Sequence, residues 1–191
     1  MIEEDQSREG VTLRKFIQLF QLLIPKNTKT LAVFDKFTDL SLEKIKDFKI
    51  KGIILDVDGC IAYNHKDIFP ENATHIKKLI EAGVKFVIYS NAKKTNRYDV
   101  LPKEVKVLTN LPPKPDKAGF ETALKELGVD KKNVVMIGDN FITDGGAIQY
   151  GIRFIRLKAL HDKHENIFEI VHGFIRSFFI VLSNFHNLFR K

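Results

Sequence analysis

Short apolar runs alternate with amphipathic segments along most of this chain. Runs such as Gly52–Leu55 are apolar at every position, which is typical of a strand buried on both faces of a parallel sheet. The segments between these runs repeat apolar residues every three or four positions, as in a helix with one buried face. Strands that alternate with helices predict an α/β fold with a doubly wound parallel sheet. The predicted strands are 31–37, 52–55, 86–91, 105–108, 134–139 and 152–157, and the predicted helices are 42–48, 70–83, 116–128 and 144–150.

Both ends of the chain carry amphipathic helical patterns outside this alternation. Leu13–Ile24 places Phe16 and Phe20 on an apolar face, with glutamine and basic residues opposite. In residues 166–191, phenylalanine and other apolar residues recur every three or four positions, opposite a polar stripe that includes Ser183. We therefore expect an N-terminal amphipathic extension (1–30), a core domain (31–160) and an amphipathic C-terminal helix (161–191).

Composition limits the class of protein. A chain of 191 residues suits one domain with short extensions. The single cysteine, Cys60, excludes a disulfide framework and a cysteine zinc cluster, and it is compatible with a reducing compartment. The acidic, polar start is unlike a secretory signal, and no window approaches the roughly 18 uncharged apolar residues of a spanning helix. These features predict a cytoplasmic protein.

The net charge indicates the kind of partner. A formal charge of +7 favours anionic partners such as phosphorylated substrates, acidic membranes or nucleic acid. Charge alone does not choose among them.

Acidic and hydroxyl residues follow several of the predicted strands. Asp56 and Asp58 come directly after the strand 52–55, Ser90 lies near the end of the next, and Asp139 ends a later one. Open α/β sheets bind ligands at the carboxyl ends of their strands. Alternation sends Asp56 and Asp58 to the same side, so they can share one cation and one substrate. Taken alone, this acidic pair also fits a solvated turn.

The order of these residues resembles the haloacid dehalogenase (HAD) superfamily of phosphotransferases. The resemblance covers residues 51–157 and implies a HAD-like Rossmannoid core that acts on phosphate esters. The four motifs of that superfamily occur in sequence order as Asp56-x-Asp58, Ser90, Lys114, and Gly138-Asp139 with Asp144.

The resemblance implies catalytic and phosphate-binding roles. Asp56 would attack phosphorus to form an aspartyl-phosphate, and Asp58 would protonate the leaving oxygen and then deprotonate the hydrolytic water. Ser90 and the Asn91 amide would hold phosphoryl oxygens. Lys114 would neutralise charge on Asp56 and on the phosphate, although a lysine in such a segment, taken alone, is more typical of a solvated loop.

The resemblance also implies a magnesium site. Mg²⁺ takes oxygen ligands and usually only one or two carboxylates. Asp56, the Asp58 backbone carbonyl and Asp139 fit that role, with Asp144 as a further ligand or as a residue behind the ligands. Cys60 stands where the superfamily usually has Thr or Val. A core substitution explains Cys60 better than a redox role, which is left open.

Neither interval between the motifs has room for a cap domain. Within the superfamily, the chain resembles the capless IIIA-type (YqeG-like) branch, which includes phosphatidylglycerophosphate phosphatases of bacteria and mitochondria. That branch usually reads Asp-Leu-Asp-Asn-Thr-Leu where this chain has residues 56–61, Asp-Val-Asp-Gly-Cys-Ile. Besides the four motifs, the resemblance is carried by Phe34-Asp35, Leu42 to Lys46, and Ile50 to Asp56.

We therefore predict a Mg²⁺-dependent phosphomonoester hydrolase that acts on phosphatidylglycerophosphate at a membrane surface. The expected partners are a lipid-borne phosphorylated substrate and an anionic membrane, with the protein peripheral on the inner face. No nucleic acid partner is expected, and a homo-oligomer is left open. One alternative is a soluble sugar-phosphate or nucleotide phosphatase lidded by oligomerisation, and another is a non-catalytic scaffold with the same fold. We interpret His161 and His164 as surface residues.

Overall fold

Six parallel strands form one sheet in the order β1-β6-β5-β2-β3-β4. The computed structural model describes residues 13–92, 96–108, 110–160 and 177–186. The strands are β1 (Ala32–Phe34), β2 (Gly52–Leu55), β3 (Lys85–Tyr89), β4 (Lys106–Leu108), β5 (Val134–Gly138) and β6 (Arg153–Leu157).

Helices and short turns connect the strands. The α-helices are α1 (Leu13–Gln21), α2 (Leu42–Asp47), α3 (Pro70–Glu81) and α4 (Lys117–Leu127). Single 3-10 turns occur at Pro25–Thr28, Phe37–Asp39, Asn96–Tyr98 and Lys131–Asn133, and a longer one at Asp144–Tyr150. Residues 177–186 are also helical and are called the terminal helix below.

Local sequence explains where the helices begin and end. The Ser41 hydroxyl accepts a hydrogen bond from the Lys44 N–H at the start of α2. The Asp116 carboxylate accepts one from the Ala118 N–H at the start of α4, and Gly128 ends that helix in the left-handed conformation. These predicted boundaries are confirmed.

The core lies on both faces of the sheet because every residue of β2 is buried. Ile53 and Leu55 face a cluster that includes α2 and α3. Ile54 faces the other cluster, which includes α4 and residues from α1 and the terminal helix. Two-sided burial of one strand is the doubly wound architecture that the sequence predicts.

The strand order brings the motif residues to one edge of the sheet. β2 pairs with β3 on one side and with β5 on the other, so the chain direction across the sheet reverses there. Ligand sites of open parallel sheets lie at such reversals, outside the carboxyl ends of the strands. Within the described residues, neither the segment between β2 and α3 nor the one between β3 and α4 contains a cap domain.

The first helix is turned opposite to its amphipathic pattern. Gln18 is only 3% exposed, although its pattern places it on the polar face, whereas Phe20 is 60% exposed. The Gln18 amide donates to the Phe141 carbonyl oxygen at 3.4 Å and accepts from the Gln149 amide at 2.5 Å. These hydrogen bonds satisfy a polar group inside the protein, and Leu22 packs beside it. Most of the predicted apolar face of α1 therefore points outward.

The terminal helix is oriented in a similar way. Ser183 is buried, and its hydroxyl donates to the Thr28 carbonyl oxygen at 2.7 Å. Phe179 beside it is buried in the core, whereas Phe178 and Phe185 are exposed. Residues 177–186 form a helix, as predicted. Ser183, which the pattern places on the polar stripe, faces the interior of the protein because its hydroxyl finds a partner there. The rest of the predicted C-terminal helix, His161 and His164 lie outside the described residues.

Candidate active site

Asp56 stands at the centre of the site, directly after β2. Its N–H donates to the Ile137 carbonyl oxygen of β5 at 3.0 Å, which extends the parallel pairing by one residue. The carboxylate is mostly buried. Burial raises the pKa of Asp56 to about 7, an effect that the nearby Lys114 ammonium partly offsets. A cation beside this carboxylate would favour its ionised, nucleophilic form.

Lys114 supplies one such cation. Its Nζ lies 2.8 Å from Asp56 Oδ1 and 2.6 Å from Asp144 Oδ1, and the side chain is almost completely buried. Burial lowers the pKa of Lys114, but the two carboxylates more than offset this effect and raise it. The lysine is therefore held charged between them, as predicted for a residue that neutralises the nucleophile. The alternative of a solvated loop lysine is excluded.

Asn91 holds Lys114 in place. Its side-chain oxygen accepts from the Lys114 N–H at 2.8 Å, and its amide donates to the Lys114 carbonyl oxygen at 3.5 Å. The Asn91 side chain therefore bonds to both the N–H and the carbonyl oxygen of Lys114, and it links the segment after β3 to the segment before α4. The sequence analysis assigned Asn91 to phosphate binding and did not predict that its side chain also binds the Lys114 backbone.

Asp144 lies behind the lysine. Its Oδ1 faces Lys114, and its Oδ2 accepts from the Asn140 N–H at 3.2 Å. A Cβ added to Gly138 would lie 2.2 Å from Asp144 Oδ2, so glycine at that position makes room for the carboxylate. Burial raises the pKa of Asp144, against the opposing effect of Lys114. Both of its oxygens accept hydrogen bonds from the protein, and its assignment as a metal ligand or as a residue behind the ligands stays a prediction.

Asp56 and Asp139 form a group of potential metal ligands with Cys60. One ligand atom from each lies within 4.8 Å of the other two. A Cβ added to Gly59, whose φ is +75°, would approach Asp139 Oδ2 to 2.9 Å, so this turn also fits closely around a carboxylate. Burial, reinforced by Asp139, raises the pKa of the Cys60 thiol. A neutral thiol is a poor Mg²⁺ ligand, whereas two convergent carboxylates fit that ion well.

The side chains of two other residues predicted at the metal site lie outside this group. Asp144 is directed to Lys114, and the Asp58 carboxylate pairs with Arg97. The sequence assigned Asp58 to the metal through its backbone carbonyl, and that assignment stays a prediction.

Asp58 is held by three hydrogen bonds. Arg97 Nη1 and Nη2 donate to Oδ1 and Oδ2 at 2.6 and 2.7 Å, and the His65 N–H donates to Oδ1 at 2.8 Å. The sequence analysis assigned no role to Arg97 and missed this pair. An arginine within a motif interval rich in basic residues was the only available signal.

Ser90 follows β3, the strand beside β2. It is buried, and its hydroxyl oxygen accepts from the Ala92 N–H at 3.2 Å. The serine therefore forms a turn at the same edge of the sheet as Asp56. All the predicted site residues lie in the segments that follow β2, β3, β4 and β5.

A family model described as haloacid dehalogenase-like hydrolase matches residues 43–150. The match extends from α2 to the turn that begins at Asp144 and contains all four motifs. The chain belongs to the haloacid dehalogenase-like hydrolase family. This match confirms the predicted superfamily and the predicted phosphatase activity. The family and the acidic group at Asp56 and Asp139 together confirm the predicted Mg²⁺ cofactor.

Solved structures resemble this hydrolase at low sequence identity. An uncharacterized protein from Listeria monocytogenes serotype 4b is 20% identical, with a TM-score of 0.46 over 71% of this chain and 99% of that one. The 3-deoxy-D-manno-octulosonate 8-phosphate phosphatase of Moraxella catarrhalis, in complex with magnesium ion, phosphate ion and KDO, is 15% identical, with a TM-score of 0.45 over 78% and 97%. A HAD-superfamily subfamily IIIA hydrolase from Legionella pneumophila is 17% identical, with a TM-score of 0.41 over 93% and 96%. Likeness of this degree says nothing about a shared substrate. No curated protein matches the sequence.

None of the helices in the described part of the chain has the length and apolar character needed to span a bilayer.

Proposed function

We propose that this protein is a Mg²⁺-dependent phosphomonoester hydrolase of the capless IIIA type that acts on phosphatidylglycerophosphate at an anionic membrane surface. The observation that carries the chemistry is the position of Asp56. Its carboxylate lies 2.8 Å from the Lys114 ammonium and within 4.8 Å of the Asp139 carboxylate, at the carboxyl edge of a parallel sheet. A buried carboxylate that lies close to both a fixed cation and a second carboxylate able to bind metal suits nucleophilic attack on an anionic phosphate.

The reaction would proceed in two displacements. An Asp56 oxygen attacks phosphorus while the bond from phosphorus to the leaving oxygen breaks, and Asp58 gives that oxygen a proton. Asp58 then takes a proton from water, whose oxygen attacks the aspartyl-phosphate, releasing inorganic phosphate and regenerating Asp56. Lys114 balances charge on Asp56 and the phosphoryl oxygens, and Ser90 and Asn91 bind the latter. Mg²⁺ held by Asp56 and Asp139 would supply further positive charge at the phosphoryl group.

Two outward apolar faces support action at a membrane. α1 exposes Phe16 and Phe20, and the terminal helix exposes Phe178 and Phe185. Both helices turn a hydrogen-bonded polar residue inward, so an apolar face that would normally be buried against the domain is left outside. The inward hydrogen bonds oppose rotation of either helix that would bury these faces.

The positions and charges of the two helices favour a lipid surface as the partner that covers their exposed apolar faces. The terminal helix contacts the 3-10 turn Pro25–Thr28 that follows α1, where the Thr28 carbonyl accepts from Ser183 and the Thr28 hydroxyl contacts His186 Nδ1 at 2.9 Å. Exposed Lys26 and Lys29 flank this contact, and the chain carries a net charge of +7. Exposed phenylalanines bordered by lysines suit the headgroup region of anionic lipid. In this proposal, residues 31–160 form the catalytic core, and 1–30 and 161–191 direct it to the membrane.

The substrate proposal follows from the same surface. A site without a cap does not enclose a small metabolite, whereas a lipid phosphate is presented by the bilayer itself. The resemblance to the YqeG-like branch adds phosphatidylglycerophosphate as the specific candidate.

The test is a phosphate-release panel on the full chain with Mg²⁺. It compares phosphatidylglycerophosphate in anionic vesicles with soluble sugar phosphates, nucleotides and an aryl phosphate. We expect the highest kcat/KM on the vesicle-borne substrate, and we expect the protein to co-sediment with the vesicles.

Surface variants make the membrane part of the test specific. Phe20→Ser and Phe178→Ser should reduce vesicle binding and lipid hydrolysis while activity on the aryl phosphate stays unchanged. Val100→Ser is the matched control, because Val100 is an exposed apolar residue outside both helices. An ordered oligomer that ignores vesicles and prefers a soluble phosphate would overturn the lipid assignment in favour of a lidded soluble phosphatase.

A further inference from the structure

Arg97 is a buried charged residue that the proposed reaction does not yet use. It lies on the 3-10 turn Asn96–Tyr98, and its side chain is 0% exposed. Tyr98 and Leu101 anchor this turn in the core, and the Tyr98 ring lies 5.4 Å from the guanidinium. A guanidinium removed from water in this way destabilises the fold unless a carboxylate pairs with it.

The partner of Arg97 is Asp58, the proposed acid and base. Two parallel hydrogen bonds join the guanidinium to both carboxylate oxygens, an arrangement that fixes the plane of the carboxylate as well as its position. Nη1 also donates to the Lys66 carbonyl oxygen at 3.4 Å. Arg97 therefore ties the turn after β3 to the loop after β2.

The backbone of that loop is arranged around the same carboxylate. His65 has a φ of +56°, in the left-handed region that few residues other than glycine adopt, and its N–H donates to Asp58 Oδ1. Donors from two separate segments thus converge on Asp58. Such convergence is expected where the orientation of a side chain matters, because a displacement of 1 Å at a reacting group costs about 10² in rate.

We propose that Arg97 is a positioning residue that fixes the Asp58 carboxylate for proton transfer to the leaving oxygen and from the attacking water. This inference rests on the proposed function, because it assigns Arg97 to the same reaction. Arg97 acts only through Asp58, since its buried guanidinium has no access to substrate.

The dependence on the leaving group gives a readout that a purely structural role would not produce. An alkyl phosphate releases a strongly basic oxygen that needs a proton, whereas 4-nitrophenyl phosphate releases a stable anion that needs little help. We expect Arg97→Met to lower kcat/KM on a simple alkyl phosphate by about 10²-fold. This ratio reports only the formation of the aspartyl-phosphate, because the later hydrolysis of that intermediate is the same for every substrate. The loss on 4-nitrophenyl phosphate should be much smaller. Arg97→Lys keeps the charge but not the paired donors, so its loss on the alkyl substrate should be intermediate.

A double-mutant cycle tests whether the effect passes through Asp58. In an Asp58→Asn background, measured on 4-nitrophenyl phosphate so that residual turnover is detectable, Arg97→Met should cause no further loss. Arg153→Met is the control, because Arg153 is partly buried, bonds to the Phe48 carbonyl and lies at the amino end of β6, away from Asp56. It should lower stability without changing the leaving-group dependence.

Three results would overturn the inference. Equal losses of kcat/KM on both substrates, losses that multiply with those of Asp58→Asn, or wild-type kcat/KM in Arg97→Met would each show that Arg97 does not act through Asp58. If Arg97→Met fails to fold, the same measurements on Arg97→Lys decide the matter, and wild-type turnover of the alkyl phosphate by that variant counts against the inference.

These measurements distinguish a failure of the proposed function from a failure of this inference. A wild-type protein that releases no phosphate from either substrate overturns both. A wild-type protein that is active and sensitive to Asp58→Asn, beside a fully active Arg97→Met, overturns only the role of Arg97.

Discussion

At the scale of single residues, the site is a balance of buried charges around Lys114. The ammonium contacts Asp56 and Asp144, and both carboxylates are buried enough that their pKa values are raised. Removing one charge leaves the remaining buried charges without a partner. The resulting loss of stability is larger than the net stabilisation that the intact pair provides.

Lys114→Met should therefore both inactivate and destabilise the protein. We expect phosphate release to fall below detection and the free energy of unfolding to fall by about 3–5 kcal/mol, because Asp144 loses its buried cation. Urea unfolding followed by circular dichroism measures the second effect. Lys117→Met is the control: Lys117 forms an exposed pair with Glu121, so its loss should change stability by less than about 1 kcal/mol. Equal stability of the two variants would contradict the described arrangement.

The close approach at Gly138 gives a second prediction at this scale. In Gly138→Ala the new methyl would overlap Asp144, so the carboxylate must move and Lys114 with it. We expect a large loss of kcat, measured by phosphate release. Gly52→Ala at the start of β2 is the control, since the atoms nearest its added Cβ belong to Leu127 and Val134 at 3.3–3.5 Å. These apolar side chains need shift by only a few tenths of an ångström, so activity should stay near that of the wild type. An active Gly138→Ala variant would show that Asp144 does not need its present position.

At the scale of elements, α1 and the terminal helix each have an inner polar contact and an outer apolar face. An amphipathic pattern defines two faces of a helix, and the face that packs depends on the partners that the rest of the fold provides. Gln18 finds Phe141 and Gln149, and Ser183 finds Thr28. These partners are far away in sequence, so helical periodicity alone did not predict either orientation.

Adjacent phenylalanines in the terminal helix test its orientation. Phe179 is 4% exposed and Phe178 is 58% exposed. Phe179→Ala should lower the free energy of unfolding by about 3–5 kcal/mol, because it leaves a cavity in the core. Phe178→Ala should change it by no more than about 0.5 kcal/mol. Chemical denaturation measures both, and equal losses would show that the helix packs through a different face.

At the scale of the whole molecule, the sheet brings distant carboxylates together and so links metal binding to folding. Asp56 and Asp139 are near each other only when β2 and β5 pair. Mg²⁺ should therefore bind the folded state and raise the thermal unfolding midpoint in a concentration-dependent way. Asp139→Asn should weaken this shift, and differential scanning fluorimetry measures it without any substrate. A shift of equal size in the variant would remove Asp139 from the metal site.

Much of this molecule could be predicted from sequence because its motifs are local. Gly52–Leu55 is buried at every position and was predicted with its exact bounds, and Asp56 follows because a parallel strand delivers its next residue to the ligand edge. Two other contacts join residues from different segments: Arg97 pairs with Asp58, and the Asn91 side chain binds the Lys114 backbone. Such contacts depend on the three-dimensional path of loops, which residue spacing does not encode.

The most direct test of the account is phosphate release by the wild-type protein and by Asp56→Asn, each with Mg²⁺ and with excess EDTA. Asp56→Asn keeps the volume of the side chain but removes the nucleophile and one metal ligand. The account predicts release only by the wild type with Mg²⁺, with Asp56→Asn folded and inactive. Substantial release by Asp56→Asn, or wild-type release that persists after exhaustive chelation, would contradict it.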